Sequence, residues 1–337
     1  MAGLIERYAA VVCDLDGVVY RGPDAVEHAV GALSALTVPT VYATNNASRP
    51  PEEVAAHLTD LGLHVSGRDV ATSSEAGAEE LAAHLPHGAR VLAVGGTGVR
   101  EALQAKGFQV LQPAQLRDSP TQRVAGVLQG YGANVTASDL AEAAYAVAAG
   151  AMWVATNTDG TLPTHRGTAP GNGTLVAAVR RAVNRDPVVV GKPEAPLYHL
   201  CAARLGIRTR RMLAVGDRLD TDIAGAVSAG MDSVLVLTGV DSVTSLATAP
   251  PELRPTYFVQ DLRALEVEYE GAESDDSWWV CGGDRRRVVD GEWDTSSAGT
   301  ALEAARAGIA ALHQGLDDGD LDVQTVRRLV RDLDDWQ

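Results

Sequence analysis

Short apolar runs alternate with helical patterns along most of this chain of 337 residues. Strand-like runs lie near residues 9–15, 38–43, 90–94, 123–128, 151–156, 187–191, 211–216, 231–237 and 256–260. Helical patterns lie near residues 25–36, 50–61, 75–84, 97–106, 138–149, 173–184, 194–205 and 220–229. This alternation is typical of βαβ units. The sequence therefore predicts an α/β fold with a Rossmann-like parallel-sheet core.

The chain between Thr44 and Lys192 is far longer than one crossover requires, and it has its own strand–helix alternation. We interpret it as an α/β domain inserted into the first domain, with boundaries near residues 85 and 187. The prediction is a discontinuous core, an inserted domain and a small C-terminal α+β extension, at residues 1–85 with 188–265, 86–187 and 266–337. The connections between core and insert would be hinges around a site that lies between them.

Two carboxylates follow the first apolar run, at Asp14 and Asp16, and Gly17 comes next. Residues two apart on an extended strand point to the same side, and α/β sheets bind ligands at the carboxyl ends of their strands. The two like charges would repel each other unless a cation or a shared proton intervenes. The motif is short, and the alternative is a solvated turn.

Three later runs also end in polar groups. Thr44-Asn45-Asn46 precedes a helix start near Pro50, and hydroxyl, amide and backbone N–H groups in such a place can cradle a phosphate. Val188-Val189-Val190-Gly191 leads into Lys192-Pro193, and Met212–Gly216 leads into Asp217 and Asp222. The chain contains two lysines, Lys106 and Lys192, and one of them lies in this set. A surface lysine on a loop is the weaker alternative for Lys192.

In this order, the four stretches closely resemble the motifs of the haloacid dehalogenase superfamily of phosphatases. The residues of these motifs are similar to those in the branch that contains the p-nitrophenyl phosphate, phosphoglycolate, glycerol phosphate and pyridoxal phosphate phosphatases. The resemblance covers roughly the first 265 residues, and it implies that the insert is a large α/β cap.

The resemblance also implies a role for each motif residue. Asp14 would be the nucleophile, which forms an aspartyl phosphate, and Asp16 would be the general acid and then the base. Mg²⁺ would be held by Asp14, the Asp16 carbonyl and Asp217, with Asp222 contributing from the second coordination shell. Phosphate binding is assigned to Thr44, the Asn45 amide and Asn46, and charge stabilisation to Lys192.

A closing cap favours a small phosphorylated metabolite as the substrate. By resemblance, glycerol 3-phosphate and 2-phosphoglycolate are the best candidates. Pyridoxal phosphate is a weaker candidate because the cap loop offers no aromatic ring to stack the pyridine, and a nucleotide phosphatase is a further alternative. The competing class is a non-catalytic regulatory protein whose C-terminal module binds a partner.

A polar loop follows one cap strand, at residues 156–167, and it is too long for a simple turn. In the resembling family, the corresponding loop contacts the leaving group of the substrate. The candidates for this contact are Asn157, Asp159 and His165. The alternative is a solvated loop in which Asn157 and Asp159 shape turns.

The net charge of −16 argues against partners such as nucleic acid or an anionic membrane. The three cysteines are far apart, so no disulfide framework is expected, and no apolar run is long enough to span a bilayer. These features predict a cytoplasmic protein and leave a homodimer open. In the tail, Asp290-Gly291 predicts a hairpin, helical patterns follow at 298–314 and 322–335, and Trp278, Trp279, Trp293 and Trp336 should help the module to dock.

Overall fold

A computed structural model of the chain describes residues 3–119, 121–164 and 166–333, without the Ser297 side chain. The strands are β1 Ala10–Cys13, β2 Tyr20–Arg21, β3 Asp24–Ala25, β4 Thr40–Thr44, β5 Val70–Thr72, β6 Arg90–Val94, β7 Gln109–Leu111, β8 Gly126–Gln129, β9 Met152–Ala155, β10 Thr161–Thr164, β11 Gly167–Pro170, β12 Val188–Val189, β13 Met212–Gly216, β14 Asp232–Val236, β15 Tyr257–Val259, β16 Glu273–Asp275, β17 Trp278–Cys281, β18 Asp284–Val289 and β19 Glu292–Ser297.

The helices are α1 Ala29–Ala35, α2 Pro51–Asp60, α3 Ser73–His84, α4 Thr97–Ala105, α5 Pro113–Asp118, α6 Ala137–Ala148, α7 Asn172–Val183, α8 Pro196–Leu205, α9 Ala224–Ala229, α10 Val243–Ala247, α11 Ala301–Asp318 and α12 Val323–Leu329. A π-helical turn, Leu219–Ile223, precedes α9. In the described part of the chain, no helix is both long and apolar enough to cross a membrane.

The first sheet has six parallel strands in the order β15-β14-β13-β1-β4-β5. Successive residues of β1 enter different hydrophobic clusters: Ala10 and Val12 pack on one face, and Val11 and Cys13 on the other. This alternation follows from the pleat, and it explains why the strands read as continuous apolar runs. The predicted parallel α/β core is confirmed.

The second sheet has five parallel strands in the order β12-β9-β8-β6-β7. We call it the cap sheet. Val188–Val189 pair with β9 in this sheet, two residues beyond the boundary expected near residue 187. Strands β5 and β7 and helix α5 were not anticipated. The last part of the expected cap loop, residues 156–167, overlaps the hairpin of β10 and β11, so that loop is shorter than the sequence suggested.

Helix α3 lies between the two sheets. Gly77 on this helix faces Leu128 and Val154 of the cap sheet, where a side chain would collide with Leu128. The same helix also contacts strand β5 of the first sheet and helix α8 of the core. Glu79 of α3 forms an ion pair with Lys106, which follows α4. A single helix is therefore packed against both parallel sheets.

The C-terminal extension is a four-stranded antiparallel sheet, β16-β17-β18-β19, with helices α11 and α12. The expected hairpin is present: Asp290 and Gly291 connect β18 to β19, both with positive φ. Ile309 and Leu312 of α11 share a hydrophobic cluster with Leu235 and Phe258 of the first sheet. Trp279 donates to Gln314 of α11 and Trp293 to the Leu329 carbonyl, so both tryptophans lie within the extension. Trp336 lies outside the described residues.

Candidate active site

Polar groups gather at the carboxyl edge of the first sheet. Asp14 follows β1, Thr44 ends β4, and Asp217 follows β13. Because β1 lies between β4 and β13 in a parallel sheet, these strand ends are neighbours. Lys192 arrives differently, since the strand before it, β12, belongs to the cap sheet. The site therefore combines three residues of the core sheet with a lysine whose segment emerges from the cap sheet.

Lys192 is 4% exposed, and its ammonium lies among acceptors. Its Nζ donates to Asp14, to Asp222 Oδ1 at 2.7 Å and to the Ala43 carbonyl at 3.3 Å. Burial by itself lowers the pKa of Lys192, but the carboxylates of Asp14 and Asp222 outweigh it and raise that pKa well above its ordinary value. The lysine is therefore a fixed positive charge.

Three buried carboxylates, Asp14, Asp217 and Asp222, each offer an oxygen within 4.8 Å of the others. Burial raises the pKa of Asp14, and the nearby Lys192 opposes this rise. Burial and the charge of Asp222 raise the pKa of Asp217 to about 6. One ammonium leaves two of the three negative charges unbalanced when all are ionised. The charge deficit matches a divalent cation.

Asp217 supplies a second observation. Its Oδ2 accepts the Val240 N–H at 2.8 Å, whereas its Oδ1 is buried without a hydrogen-bond partner among the described residues. An unsatisfied buried carboxylate oxygen is costly unless a cation or water completes it. Oxygen donors of this kind suit Mg²⁺, so the residues fit the ion. Asp222 is already engaged, because Oδ1 accepts Lys192 and Oδ2 accepts the Arg218 N–H at 3.2 Å.

Asp16 differs from Asp14 in being exposed. The surrounding protein still raises its pKa by desolvation, which Lys192 and Arg49 partly offset. Gly17 follows with φ +85°, and a side chain there would collide with Asp217. A raised pKa in a reachable carboxyl suits a group that gives and takes a proton.

The Thr44–Asn46 segment forms a tight polar turn. Thr44 is buried, and its Oγ1 accepts the Asn46 N–H at 3.0 Å. Asn46 Oδ1 accepts the N–H and Oγ of Ser48 at 3.0 and 2.7 Å. The Asn46 side chain therefore stabilises the turn that leads to α2, which is a structural role.

The Asn45 side chain is engaged within the protein. Its Oδ1 accepts the Lys192 N–H at 2.8 Å, and its Nδ2 donates to the Lys192 carbonyl at 2.9 Å. The same Nδ2 lies 3.3 and 3.4 Å from the carboxylate oxygens of Asp159. These contacts occupy the side-chain amide, so the backbone amide is the part of Asn45 that suits a phosphate.

The cap loop reaches the core through Asn157 and Asp159. Asn157 is 4% exposed and donates from Nδ2 to the Asn45 carbonyl at 2.7 Å, while its Oδ1 accepts the Asp159 N–H at 3.2 Å. This geometry favours the turn-shaping alternative for Asn157. Burial raises the pKa of Asp159. The Asn45 hydrogen bond and the charges of Lys192 and Arg218 oppose this rise. His165 lies outside the described residues.

The loop after β14 also belongs to the site, although its residues were not predicted to. Val240 donates its N–H to Asp217, and Gly239 allows this approach because a side chain there would collide with the same carboxylate. Asp241 Oδ2 accepts the Leu219 N–H at 2.7 Å and so fixes the π-helical turn that carries Asp222. The signal was available: Gly239-Val240-Asp241 also follows a strand of the first sheet.

Comparisons with known proteins agree with this geometry. A family model described as haloacid dehalogenase-like hydrolase matches residues 11–109, and one described as HAD-hydrolase-like matches residues 189–265. The chain is 45% identical over 268 residues to a D-glycerol 3-phosphate phosphatase of Mycobacterium tuberculosis, covering 80% of this chain and 74% of that protein. It is 34% identical over 269 residues to an acid sugar phosphatase of Staphylococcus saprophyticus, covering 79% of this chain and 100% of that protein.

Solved structures give the same picture. A glycerol phosphate phosphatase from Mycobacterium tuberculosis, in complex with magnesium, is similar with a TM-score of 0.84 at 40% identity, covering 93% of each chain. A p-nitrophenyl phosphatase from Archaeoglobus fulgidus is similar with a TM-score of 0.69 at 25% identity, covering 77% of this chain and 98% of that one.

Proposed function

This chain belongs to the haloacid dehalogenase-like hydrolases, within their phosphatase branch, and on that premise we propose that it is a Mg²⁺-dependent phosphomonoester hydrolase that forms an aspartyl phosphate. Its substrate is a small phosphorylated metabolite, with glycerol 3-phosphate as the first candidate. The observation that carries the proposal is the buried cluster of Asp14, Asp217 and Asp222 around the Lys192 ammonium.

Asp14, the Asp16 carbonyl and Asp217 would hold the metal ion. Bound there, Mg²⁺ supplies positive charge that neutralises the phosphate dianion. Asp222 would not bind the metal directly, because its carboxylate already accepts hydrogen bonds from Lys192 and from the Arg218 N–H. Val240 orients Asp217 through its N–H. The chain thus presents acceptors of fixed direction to the cation.

In the first step, an Asp14 carboxylate oxygen attacks phosphorus while the bond to the ester oxygen breaks. Asp16 gives its proton to that oxygen, so the alcohol leaves neutral. The raised pKa of Asp16 favours the protonated carboxyl that this step requires. Thr44, the Asn45 backbone amide and Lys192 contact the transferring phosphoryl group and stabilise its charge.

In the second step, water attacks the phosphorus of the aspartyl phosphate. Asp16, now ionised, accepts the proton of that water, and the bond between phosphorus and the Asp14 oxygen breaks. Inorganic phosphate leaves, Asp14 is again a carboxylate and Asp16 is again protonated. The Lys192 ammonium keeps Asp14 in place through both steps.

The leaving-group side of the site supports a small substrate. The cap loop meets the core at Asn45, and the charge of Arg218 on the core lies near enough to Asp159 to lower the pKa of that carboxyl. A relative that is 45% identical is a glycerol 3-phosphate phosphatase, which ranks that substrate ahead of 2-phosphoglycolate. We propose that Asp159 meets the part of the substrate beyond its phosphate; contact by His165 stays a prediction.

The test is phosphate release from glycerol 3-phosphate, 2-phosphoglycolate, pyridoxal 5′-phosphate, a nucleoside monophosphate and p-nitrophenyl phosphate, with Mg²⁺ and with EDTA. We expect Mg²⁺-dependent hydrolysis, with the highest kcat/KM for glycerol 3-phosphate. Asp16→Asn is the matched control, because it keeps the shape of the side chain but cannot release a proton. Absence of hydrolysis of every compound by folded protein would overturn the proposal.

Two further expectations accompany this function. The three cysteines are buried and free, which supports a cytoplasmic location, where thiols stay reduced. A homodimer stays a prediction, and sedimentation velocity on the purified chain would test it.

A further inference from the structure

Lys192 follows directly on a strand of the cap sheet but acts at the edge of the first sheet. Residues 188–189 belong to the cap sheet, and Val190 N–H still donates to the Ala155 carbonyl of that sheet at 3.2 Å. Two residues later, Lys192 touches Asp14 of the first sheet. The position of the ammonium relative to Asp14 therefore depends on what fixes this short segment to the core.

Asn45 provides that attachment. Its side-chain oxygen and nitrogen bind the N–H and the carbonyl of the same residue, Lys192, at 2.8 and 2.9 Å. A Cβ on Gly191 would lie 2.6 Å from Asn45 Oδ1, so the glycine makes room for the amide. Two hydrogen bonds to one residue fix both its position and its orientation.

Asn45 also receives the cap loop. Its Nδ2 faces the Asp159 carboxylate, and its carbonyl accepts Asn157 Nδ2 at 2.7 Å. The same carbonyl accepts Ser73 Oγ at 2.6 Å, from α3. One residue of the core therefore contacts the lysine segment and two polar residues of the cap loop, Asn157 and Asp159.

We propose that Asn45 is a positioning residue that makes the placement of Lys192 depend on contact with the cap loop. When Asp159 and Asn157 meet Asn45, the amide is fixed in the orientation that binds the Lys192 backbone, and the ammonium lies on Asp14. When that contact is lost, the lysine segment loses part of its attachment to the core. The inference rests on the proposed function. It adds that contact between the cap loop and Asn45 controls catalysis through the placement of Lys192.

The first test uses paired substitutions at the contact. Asn45→Asp keeps an acceptor for the Lys192 N–H but loses both donations and places two carboxylates together, so kcat should fall about tenfold or more. Asp159→Asn alone keeps an acceptor for Asn45, and its kcat completes the double-mutant cycle. In the double variant, the new amide at position 159 can donate to the carboxylate at 45, and kcat should recover by about threefold or more over Asn45→Asp.

Ser73→Ala is the matched control, because it removes a donor from the same Asn45 carbonyl without involving the cap, and it should stay within about threefold. Activity is measured with p-nitrophenyl phosphate, and thermal unfolding confirms that each variant folds. Wild-type kcat in Asn45→Asp, or a double variant no better than Asn45→Asp, would overturn the inference. A wild-type protein without phosphatase activity would instead overturn the proposed function.

The second test asks whether Asn45 acts through Lys192. Asn45→Ala should lower kcat about tenfold or more in the wild-type background, but by less than about threefold when Lys192 is already alanine. Mg²⁺ affinity, measured by calorimetry, should stay within about threefold in Asn45→Ala, because the carboxylates are intact. An equal loss in both backgrounds would contradict a role through the lysine.

Discussion

At the scale of single residues, the Lys192 ammonium is shared between Asp14 and Asp222 in a buried setting. Buried ion pairs are costly to form, and removal of one partner leaves the other charge uncompensated. Here the excess is negative, and Asp217 Oδ1 has no hydrogen-bond partner among the described residues. The arrangement of the carboxylates is therefore better explained by cation binding than by a contribution to the stability of the fold.

Asp14→Asn should reduce turnover by about three orders of magnitude or more, because an amide is not a nucleophile toward phosphorus. The variant should still fold, since Lys192 retains Asp222 as a partner. Steady-state hydrolysis of an aryl phosphate, with circular dichroism as the folding control, measures the effect. Near-native activity in a variant of correct mass would refute the aspartyl-phosphate mechanism.

Asp217→Asn should weaken Mg²⁺ binding by about a hundredfold, because removal of a metal ligand costs at least as much as removal of its outer partner. The amide oxygen can still accept the Val240 N–H, so stability should change little. Calorimetric titration of Mg²⁺ into EDTA-treated protein measures the affinity. Full activity in metal-depleted wild type would contradict the metal requirement.

Much of the site at this scale was predictable from the sequence. Asp14, Thr44 and Asp217 each come at the end of an apolar run, and parallel topology brings such ends together. The contacts of Asn45 and Asn157 were not predictable, because they join segments more than a hundred residues apart through side-chain orientation, which local pattern does not encode.

At the scale of elements, glycines set how closely helices approach the loops of the core. Gly98 in α4 packs on the segment after β4, where a Cβ would lie 2.5 Å from the Arg49 carbonyl and 2.6 Å from that of Ala47. Its N–H also lies 3.2 Å from the Ser48 carbonyl. A cap helix therefore rests directly on core backbone. Gly31 in α1 has open space around it.

Gly98→Ala should lower the free energy of unfolding by about 1 to 3 kcal/mol, because backbone must move to admit the methyl group. The control is Gly31→Ala, also in a helix, which should be neutral or stabilising by up to about 1 kcal/mol. Urea unfolding of both variants measures the difference. Equal stability of the two variants would mean that the α4 contact is not tight.

Sequence reasoning about elements succeeded where runs were long and failed where they were short. Strands β5 and β7 have three residues each, too few for periodicity to show. The apolar character of Val188–Val189 was recognised, but an apolar run does not say which sheet it joins. The hairpin β10–β11 escaped notice because it is mostly exposed and contains Pro163 and Gly167.

At the scale of the whole molecule, the C-terminal extension and the core share one hydrophobic cluster, and His313 lies at their contact. His313 Nε2 is 2.8 Å from the Leu246 carbonyl of α10. Burial lowers the pKa of His313 to about 4; the hydrogen bond to the Leu246 carbonyl and the charge of Asp317 oppose this, and the charge of Arg254 adds to it. The neutral imidazole is therefore the form that suits docking.

Because the pKa of His313 is lower in the folded protein than its ordinary 6.5, its contribution is complete above pH 6.5 and is lost as the pH falls toward 4. The loss should reach roughly 2 to 3 kcal/mol by pH 4.5. His313→Gln keeps an N–H donor and does not titrate, so its stability should fall less over this range. Parallel pH profiles for the two proteins in urea unfolding would contradict this assignment.

The packing of α3 and the scarcity of lysine together have a practical consequence. Lys192 is buried and protonated, whereas the Lys106 side chain is 38% exposed at the seam between α4 and α3. An amine-reactive fluorophore should therefore label Lys106 selectively over Lys192 in the native enzyme. The dye would lie between α4 of the cap and α3, the helix that packs against both sheets. Its emission can therefore report on cap movement during turnover, and no cysteine has to be introduced for labelling.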